Sequence, residues 1–500
     1  MKKILKIVFA SALMSASIAF AAFAGPKGWI QNENTWNYLE SDGSLAKDTW
    51  KKSNDNWYYL NSEGKLAVET LIEDGSKYYY VNSDGAMVKD CWVAVPAEED
   101  ENVEYRWYYF GSNGAAYTQT GSNVSFKTIG GKKYAFDEEG KMLYGYVDES
   151  GEIIDSEEPI INALYYFGTE NDGELKTGWL CYNDSIEDYD KDHLWFYFMP
   201  SNGKKVSDQV KTINGKKYEF DSNGVMTDEW SIATAGTASN YYADLDDGAQ
   251  KKNTWVWAIP SESINAQDHE DDEYRWFYMD GSGKAIANKT KKINGKWYAF
   301  DEDGIMKTEF VELSGDKASN ATFVSQFKAE DVTADEIYAR FDDSDTALYY
   351  FSNTQSDGSM KTGNTIKIEL SDDTYTFGFK SKTGAALNGV EKNKLYRCSI
   401  LQTAGDTKYA VKKYYNGSEY VSCIVNSNGT ILKGGSTGKN DNDEYYAVAK
   451  GYKAGAANAE EYFALFSGDD AAKAASYFAK HGTLDGIDEK YSFVEESIAY

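Results

Sequence analysis

The chain has 500 residues, with 80 acidic against 51 basic side chains and a formal charge of −29. That charge argues against nucleic acid and bare anionic polymers as partners, which need clustered Lys and Arg, and leaves neutral sugars and cationic groups open. Aromatic residues make up 15% of the chain, with 43 Gly and only 5 Pro; this excludes disorder and suits many short aromatic strands joined by glycine turns.

In chain order, Lys2, Lys3 and Lys6 precede an apolar, alanine-rich run that ends at Ala22-Phe23-Ala24. This pattern predicts a signal peptide over 1–24 and a mature chain starting at Gly25. No second long apolar segment follows, and no Cys follows the run to carry a lipid. The mature protein is therefore expected to be secreted and associated non-covalently with the wall or surface, without a transmembrane segment.

Residues 28–92 fall into register with themselves at a shift of 21 residues. Trp29, Trp50 and Trp92 share one lattice, in which Leu71 takes the remaining place. Trp36, Trp57 and Tyr78 share a second, and Tyr38, Tyr59 and Tyr80 a third. Gly43, Gly64 and Gly85 close the units. A short period held over several copies predicts an array of small supersecondary units. In Trp57-Tyr58-Tyr59-Leu60, strand alternation puts Trp57 and Tyr59 on one face, and the following Asn-Ser-Glu-Gly is a turn. Each unit reads as a β-hairpin with a connecting loop, and since one isolated hairpin is marginal in water, the hairpins must stack.

Beyond Trp92 the units lengthen. PAEEDENVEY leads to Trp107-Tyr108-Tyr109, NDSIEDYDKD follows Trp179 and precedes Trp195-Phe196-Tyr197, and SESINAQDHEDDEY follows Trp257 and precedes Trp276. Near-copies of one string begin at Lys127, Lys211 and Lys291, each around a two-residue hairpin turn, Gly130-Gly131, Asn214-Gly215 or Asn294-Gly295. The array is expected to span 25–310, with a polar insertion at 311–346 and divergent repeats over 347–450. The last stretch, 451–500, reads as a partly helical cap, with Asp469-Asp470 placed to cap a helix through AAKAASYFAKH. The fold class is thus all-β, a solenoid of stacked hairpins with a short helical segment near the C-terminus.

Catalytic signals are absent from the sequence. His193, His269 and His481 are isolated, and no HExxH, GxSxG, P-loop or CxxC pattern occurs. The acidic loops around 98–104 and 268–273 lack the calcium-loop pattern and read as solvated. No catalytic residue, metal site or cofactor is expected, and the chain reads as a non-enzyme. Cys398 and Cys423 sit in strand-like runs and either pair after export or stay as separate buried thiols.

The aromatic lattices carry the chemistry. A Trp on the first strand of a unit, a Trp-x-Tyr on the second, and rings of the neighbouring unit converge repeatedly. Such a box suits a quaternary ammonium, held by cation–π attraction, or a sugar ring stacked through its C–H face. Many copies acting on one polymer add up through avidity. The competing expectation is that aromatic stripes simply pack the strands.

GWIQ…WNYLESDGSLAKDTW…WYYLNSEGKLAVE…YYYVNSDGAMVKDCW resembles the cell-wall-binding repeats of Gram-positive surface proteins, the choline-binding and glucan-binding repeat superfamily. The resemblance implies a hairpin solenoid that anchors exported proteins to choline-bearing teichoic acid, other wall polymers or glucan. Carried over by position, the ligand-binding residues are Trp29, Trp36, Tyr38, Trp50, Trp57, Tyr59, Trp92, Trp107, Tyr109, Trp179, Trp195, Tyr197 and Trp276, with the Trp29–Trp50 stretch the first place to look. The alternatives are a surface scaffold without glycan binding, or a hydrolase with its site in 311–346 or 385–500.

Overall fold

The computed structural model describes residues 27–32, 35–97, 103–191, 193–231, 240–315, 317–354, 357–487 and 491–498. The expected signal peptide lies outside them, as does most of the acidic stretch before Arg106. The described residues are all-β, 42% strand and 8% helix, built of stacked hairpins with no closed barrel. No described helix is long and apolar enough to cross a membrane. The chain divides into two compact bodies: Met1–Ile213 with Glu219–Thr227, and Asn214–Tyr218 with Asp228–Tyr500.

In the first body, Gly28–Asn32 pairs with Thr35–Leu39, Thr49–Ser53 with Asn56–Leu60, Thr70–Asp74 with Lys77–Val81, and Cys91–Pro96 with Tyr105–Phe110, all antiparallel. Strand alternation sorts their faces: Tyr58 and Leu60 are buried, whereas Trp57 between them and the turn is 37% exposed. After the second and third of these hairpins an Asn folds the chain back, as Asp137 and Asp221 do further along. The Asn61 side-chain carbonyl accepts from the Glu63 and Lys65 amides at 3.0 Å each, and Asn82 does the same for Asp84 and Ala86. This side-chain mimic of a turn is why Asn and Asp recur there.

One backbone bond links each hairpin to the next. The residue after the turn donates its amide to the carbonyl of the preceding hairpin's second strand: Leu66 to Trp36, Met87 to Trp57, Ala116 to Tyr78, Met142 to Trp107, Leu175 to Lys133, Lys205 to Leu164 and Met226 to Trp195, all at 2.7–2.9 Å. The same link occurs in the second body, from Ala285 to Asn240, Met360 to Trp297, Ala386 to Leu348 and Ile431 to Asn393, at 2.8–3.0 Å. The stack therefore continues through residues whose side chains no longer repeat, because the link uses only backbone groups.

The space for the post-turn side chain comes from a later turn glycine. A Cβ on Gly114 would stand 2.6 Å from the Met87 sulfur, and one on Gly85 would stand 2.8–2.9 Å from Leu66. Both glycines also hold positive φ, 80° and 76°.

The stretch 311–346, polar in sequence, is ordered. Glu309–Ser314 is the central strand of a three-stranded sheet, flanked by Thr322–Phe327 and Thr346–Phe351, and the helix Ala334–Phe341 starts at a Thr333/Glu336 capping box. Two of its carboxylates are paired inward. Glu312, nearly buried, accepts from Arg340 Nε at 2.9 Å and from Ser325 and Thr346 hydroxyls; Asp342 accepts from Arg397, from the Cys398 thiol and from the Tyr420 hydroxyl. A five-stranded sheet over 363–401 packs on the same core through Phe377 and Phe379.

The C-terminal part is a four-stranded sheet with the helix Ala471–His481 laid on it. Ala474, Ala475 and Ala479 meet Ala447 and Ala464, so small side chains let helix and sheet approach. Asp470 stands at the helix N-terminus, but its carboxylate binds Lys473 Nζ and the Ser492 amide, not the first helical amides. Cys398 and Cys423 are both buried free thiols; Cys423 Sγ contacts Tyr452 Oη at 3.3 Å.

Candidate functional site

In each hairpin that carries it, the first-strand Trp is clamped edge-on between two rings. One belongs to its own second strand, directly opposite in register. The other comes from the next hairpin. Trp50 lies 5.1 Å from Tyr59 and 5.3 Å from Tyr79. Trp92 lies 5.2 Å from Tyr109 and 4.9 Å from Tyr134. Trp29 lies 5.3 Å from Tyr38 and 5.5 Å from Tyr58. Interplanar angles are 64–84°, the edge-to-face geometry aromatic quadrupoles prefer.

The second-strand Trp forms an outer wall, and the post-turn Met of the next hairpin a floor. Trp50, Trp57, Tyr79 and Met87 thereby line a cavity of about 280 Å³, with Asp74 and Asn113 at its rim. Trp92, Trp107, Tyr134 and Met142 line the equivalent cavity of about 100 Å³, with Lys132, Asn171 and Asp172 at its rim. The indole N–H groups are tied back: Trp50 Nε1 donates to Asp74 at 3.2 Å and Trp107 Nε1 to Asn171 at 3.2 Å. Both indoles still line their cavities. Burial raises the Tyr134 phenol above its ordinary value, so it stays neutral at physiological pH. Three rings, a thioether and a nearby carboxylate suit a methylated ammonium: its charge is drawn to ring faces and its methyl shell to Met.

Residues 44–86 match the family described as choline-binding repeat, and residues 104–116 and 291–306 match that described as cell wall binding repeat. Over residues 44–86 the chain is similar to choline-binding repeats. Glucosyltransferase-S of Streptococcus mutans is 29% identical over 198 residues, 40% of this chain and 11% of the relative. Glucosyltransferase-I of Streptococcus downei is 28% identical over 211 residues, 41% of this chain, and with 12% of that relative matched the chain spans about a tenth of the length of these curated relatives. The solved structure of CbpJ from Streptococcus pneumoniae matches at 19% identity and a TM-score of 0.35, over 68% of this chain and 99% of that one.

Of the residues picked out by sequence, the hairpins bring Trp50 with Trp57 and Trp92 with Trp107 onto shared cavities. Trp29 and Trp36 hold the corresponding places in the first hairpin, where Leu66 replaces the Met. Trp179 lies 6.4 Å from Trp195 and 5.1 Å from Tyr197, with Trp195 40% exposed as a wall. Tyr38, Tyr59, Tyr109 and Tyr197 instead brace the first-strand Trp from its own hairpin. At Leu71 the lattice lacks a Trp, and Ala116 lies in the Met position.

Other residues of these sites escape the sequence reading. Tyr79 and Tyr134 complete the two cavities, and Met87 and Met142 floor them. In the second body, Trp276 belongs with Trp255, 6.2 Å away, and Trp255 is clamped by Tyr278 and Tyr298 at 5.2 and 4.8 Å. Sequence picks Trp257 as the start of that unit; register assigns the place to Trp255, opposite Tyr278 as Trp92 is opposite Tyr109. The signal is two residues upstream. Asn253 takes a left-handed φ of 50°, as Asp48 and Asp90 do before Trp50 and Trp92. In these three hairpins an Asp or Asn in the left-handed region stands two residues before the first-strand Trp.

Proposed function

We propose that this chain is an exported, non-catalytic array that holds a choline-bearing wall or extracellular glycopolymer through repeated aromatic boxes. The observation that carries this reading is the recurrence of one constellation, Trp50-Trp57-Tyr79-Met87 and Trp92-Trp107-Tyr134-Met142, at equivalent positions of separate hairpins. Each ring facing a quaternary ammonium contributes roughly 0.5–2 kcal/mol. One box binds weakly; several boxes on one polymer gain roughly 10²–10⁴ in avidity. The rim carboxylates Asp74 and Asp172, and the chain's net charge of −29, favour a cation in the box over an anionic sugar.

The test is retention of the purified chain on immobilised choline and on isolated walls, with elution by free choline. Elution by choline supports the boxes. Retention displaced only by soluble glucan assigns the boxes to sugar stacking, and no retention of a folded chain leaves a scaffold. Release of soluble fragments from walls during the same incubation would overturn the non-catalytic reading.

A further inference from the structure

The hairpin formed by Thr254–Ala258 and Arg275–Met279 differs from its relatives at one register position. Opposite the second-strand Trp, the Trp57, Trp107 and Trp195 hairpins carry Lys52, Ala94 and Cys181. Opposite Trp276 stands Trp257. Its ring lies 4.9 Å from Trp276 and 5.8 Å from Tyr274, the latter pair near-parallel at 23°. With Trp255 and Tyr278 on the same strand face, five rings run in a cross-strand ladder from the buried end to the open one. At the open end Trp257 is 51% and Tyr274 48% exposed. A Trp and a Tyr left adjacent and half in water form an exposed apolar strip of the kind that marks a binding surface.

The strip is held rigidly. Tyr274 follows a loop whose short helix, Ala266–Glu270, is capped by the Asn265 side chain on the Asp268 amide. Arg275 grips Asp268 with two bonds, 3.0 and 2.7 Å, and Glu273 with a third at 3.0 Å. The Pro260 carbonyl accepts from His269 Nδ1 at 3.0 Å. Little ordering therefore remains to be done on binding.

We propose that Trp257 and Tyr274 form an open stacking platform for a neutral pyranose chain, distinct from the boxes. Trp257 meets Tyr274 and Trp276, rings of its own hairpin, on one strand face, an open arrangement that does not surround an ammonium. It offers two adjacent, near-parallel rings, which suits the flat C–H faces of successive sugar units. Glu270, Asp271, Asp272 and Glu273 directly precede Tyr274 in the chain, a local negative charge that repels anionic polymers. This inference is independent of the choline reading.

The full chain is titrated with maltohexaose, isomaltohexaose, cellohexaose and choline, following indole N–H resonances. The expected result is binding of at least one hexaose, weakened about tenfold or more by Trp257→Ala and by Tyr274→Ala and retained by Trp257→Tyr. The choline response at Trp57 stays as in the parent, and Trp57→Ala gives the reverse pattern. The proposal is overturned if no hexaose binds, if binding ignores both substitutions, if choline displaces the sugar, or if sedimentation shows Trp257 to be covered by a second copy of the chain. Failure of the choline arm alone sinks the box reading and leaves the platform standing.

Discussion

Lys205→Met tests how the boxes are assembled. Lys205 holds in its hairpin the place of Met87 and Met142, since its amide donates to Leu164 as theirs donate to Trp57 and Trp107. Its Nζ donates to the Ile160 and Ile161 carbonyls at 2.6 and 2.7 Å and stands 5.7 Å from the centre of the Phe196 ring. This site is thus closed by the chain's own ammonium. Burial pushes the amine down from 10.5 to about 8, against the smaller opposing pull of Asp221. Between those values the unfolded chain binds a proton that the folded chain does not, so this group's contribution makes stability rise with pH across the window. The gap between 10.5 and about 8, at about 1.36 kcal/mol per pH unit, sets a ceiling of about 3 kcal/mol. The methionine variant removes this cost and also two hydrogen bonds of about 1 kcal/mol each, so at about pH 7 it should be more stable by about 1 kcal/mol. At about pH 10 the amine is neutral in the folded chain and the order should reverse, by about 1–2 kcal/mol. Urea unfolding of parent and variant at both pH values reads this difference. An identical stability gap at the two pH values would refute the buried-ammonium account.

Three further outcomes follow from the geometry. Trp57→Ala should weaken choline binding at its box by about 2- to 30-fold in calorimetry, one ring's worth, while leaving the thermal midpoint nearly unmoved; Trp50→Ala, which deletes the ring clamped by Tyr59 and Tyr79, should also destabilise by about 3 kcal/mol. Gly114→Ala should cost about 1–3 kcal/mol and weaken choline at the Trp50 box, because its Cβ would meet the Met87 sulfur at 2.6 Å; unchanged affinity would detach the floor Met from the site. At Asp342, burial alone raises the carboxyl, but hydrogen bonds from Arg397, Cys398 and Tyr420 outweigh it and hold it below its ordinary value of 3.8. The stability it supplies is therefore complete above 3.8 and lost as pH falls below, and Asp342→Asn should cost about 3–5 kcal/mol at neutral pH by stranding Arg397. Equal urea midpoints for parent and variant at neutral pH would contradict this.

The strands, turns and Trp lattice are legible in the sequence because each rests on a local rule: alternation within a strand, Asn or Asp at the turn, Gly where φ is positive. The helix over 471–481 is readable for the same reason. What crosses between hairpins is not. Lattice position makes Tyr78 the counterpart of Trp57 in the next hairpin, yet the ring that hairpin supplies to the Trp57 cavity is Tyr79. The next hairpin turns its opposite face toward the box, and alternation within one strand carries no record of which face a neighbour presents. Lys205 is hidden for a related reason. Nine positions separate it from Phe196, against eight from Tyr79 to Met87, so the repeat slips by one and the lysine no longer aligns with the methionines. The stretch over 311–346 reads as polar because its Glu312 and Arg340 are counted as charges, whereas in the fold they neutralise each other against a packed strand.

These cross-hairpin relations bear on how binding scales. Each box takes its first-strand Trp and its wall from one hairpin, and its third ring and floor from the next, joined by the amide-to-carbonyl link that also holds the stack. A ligand in the Trp50 box therefore bridges two hairpins and stabilises their junction by mass action. A single excised hairpin lacks half of its site, and a point defect such as Leu71 removes one box without touching the backbone link on either side. The array can lose boxes one at a time and keep its stack, which is how a chain with so many diverged units retains complete sites at Trp50 and Trp92.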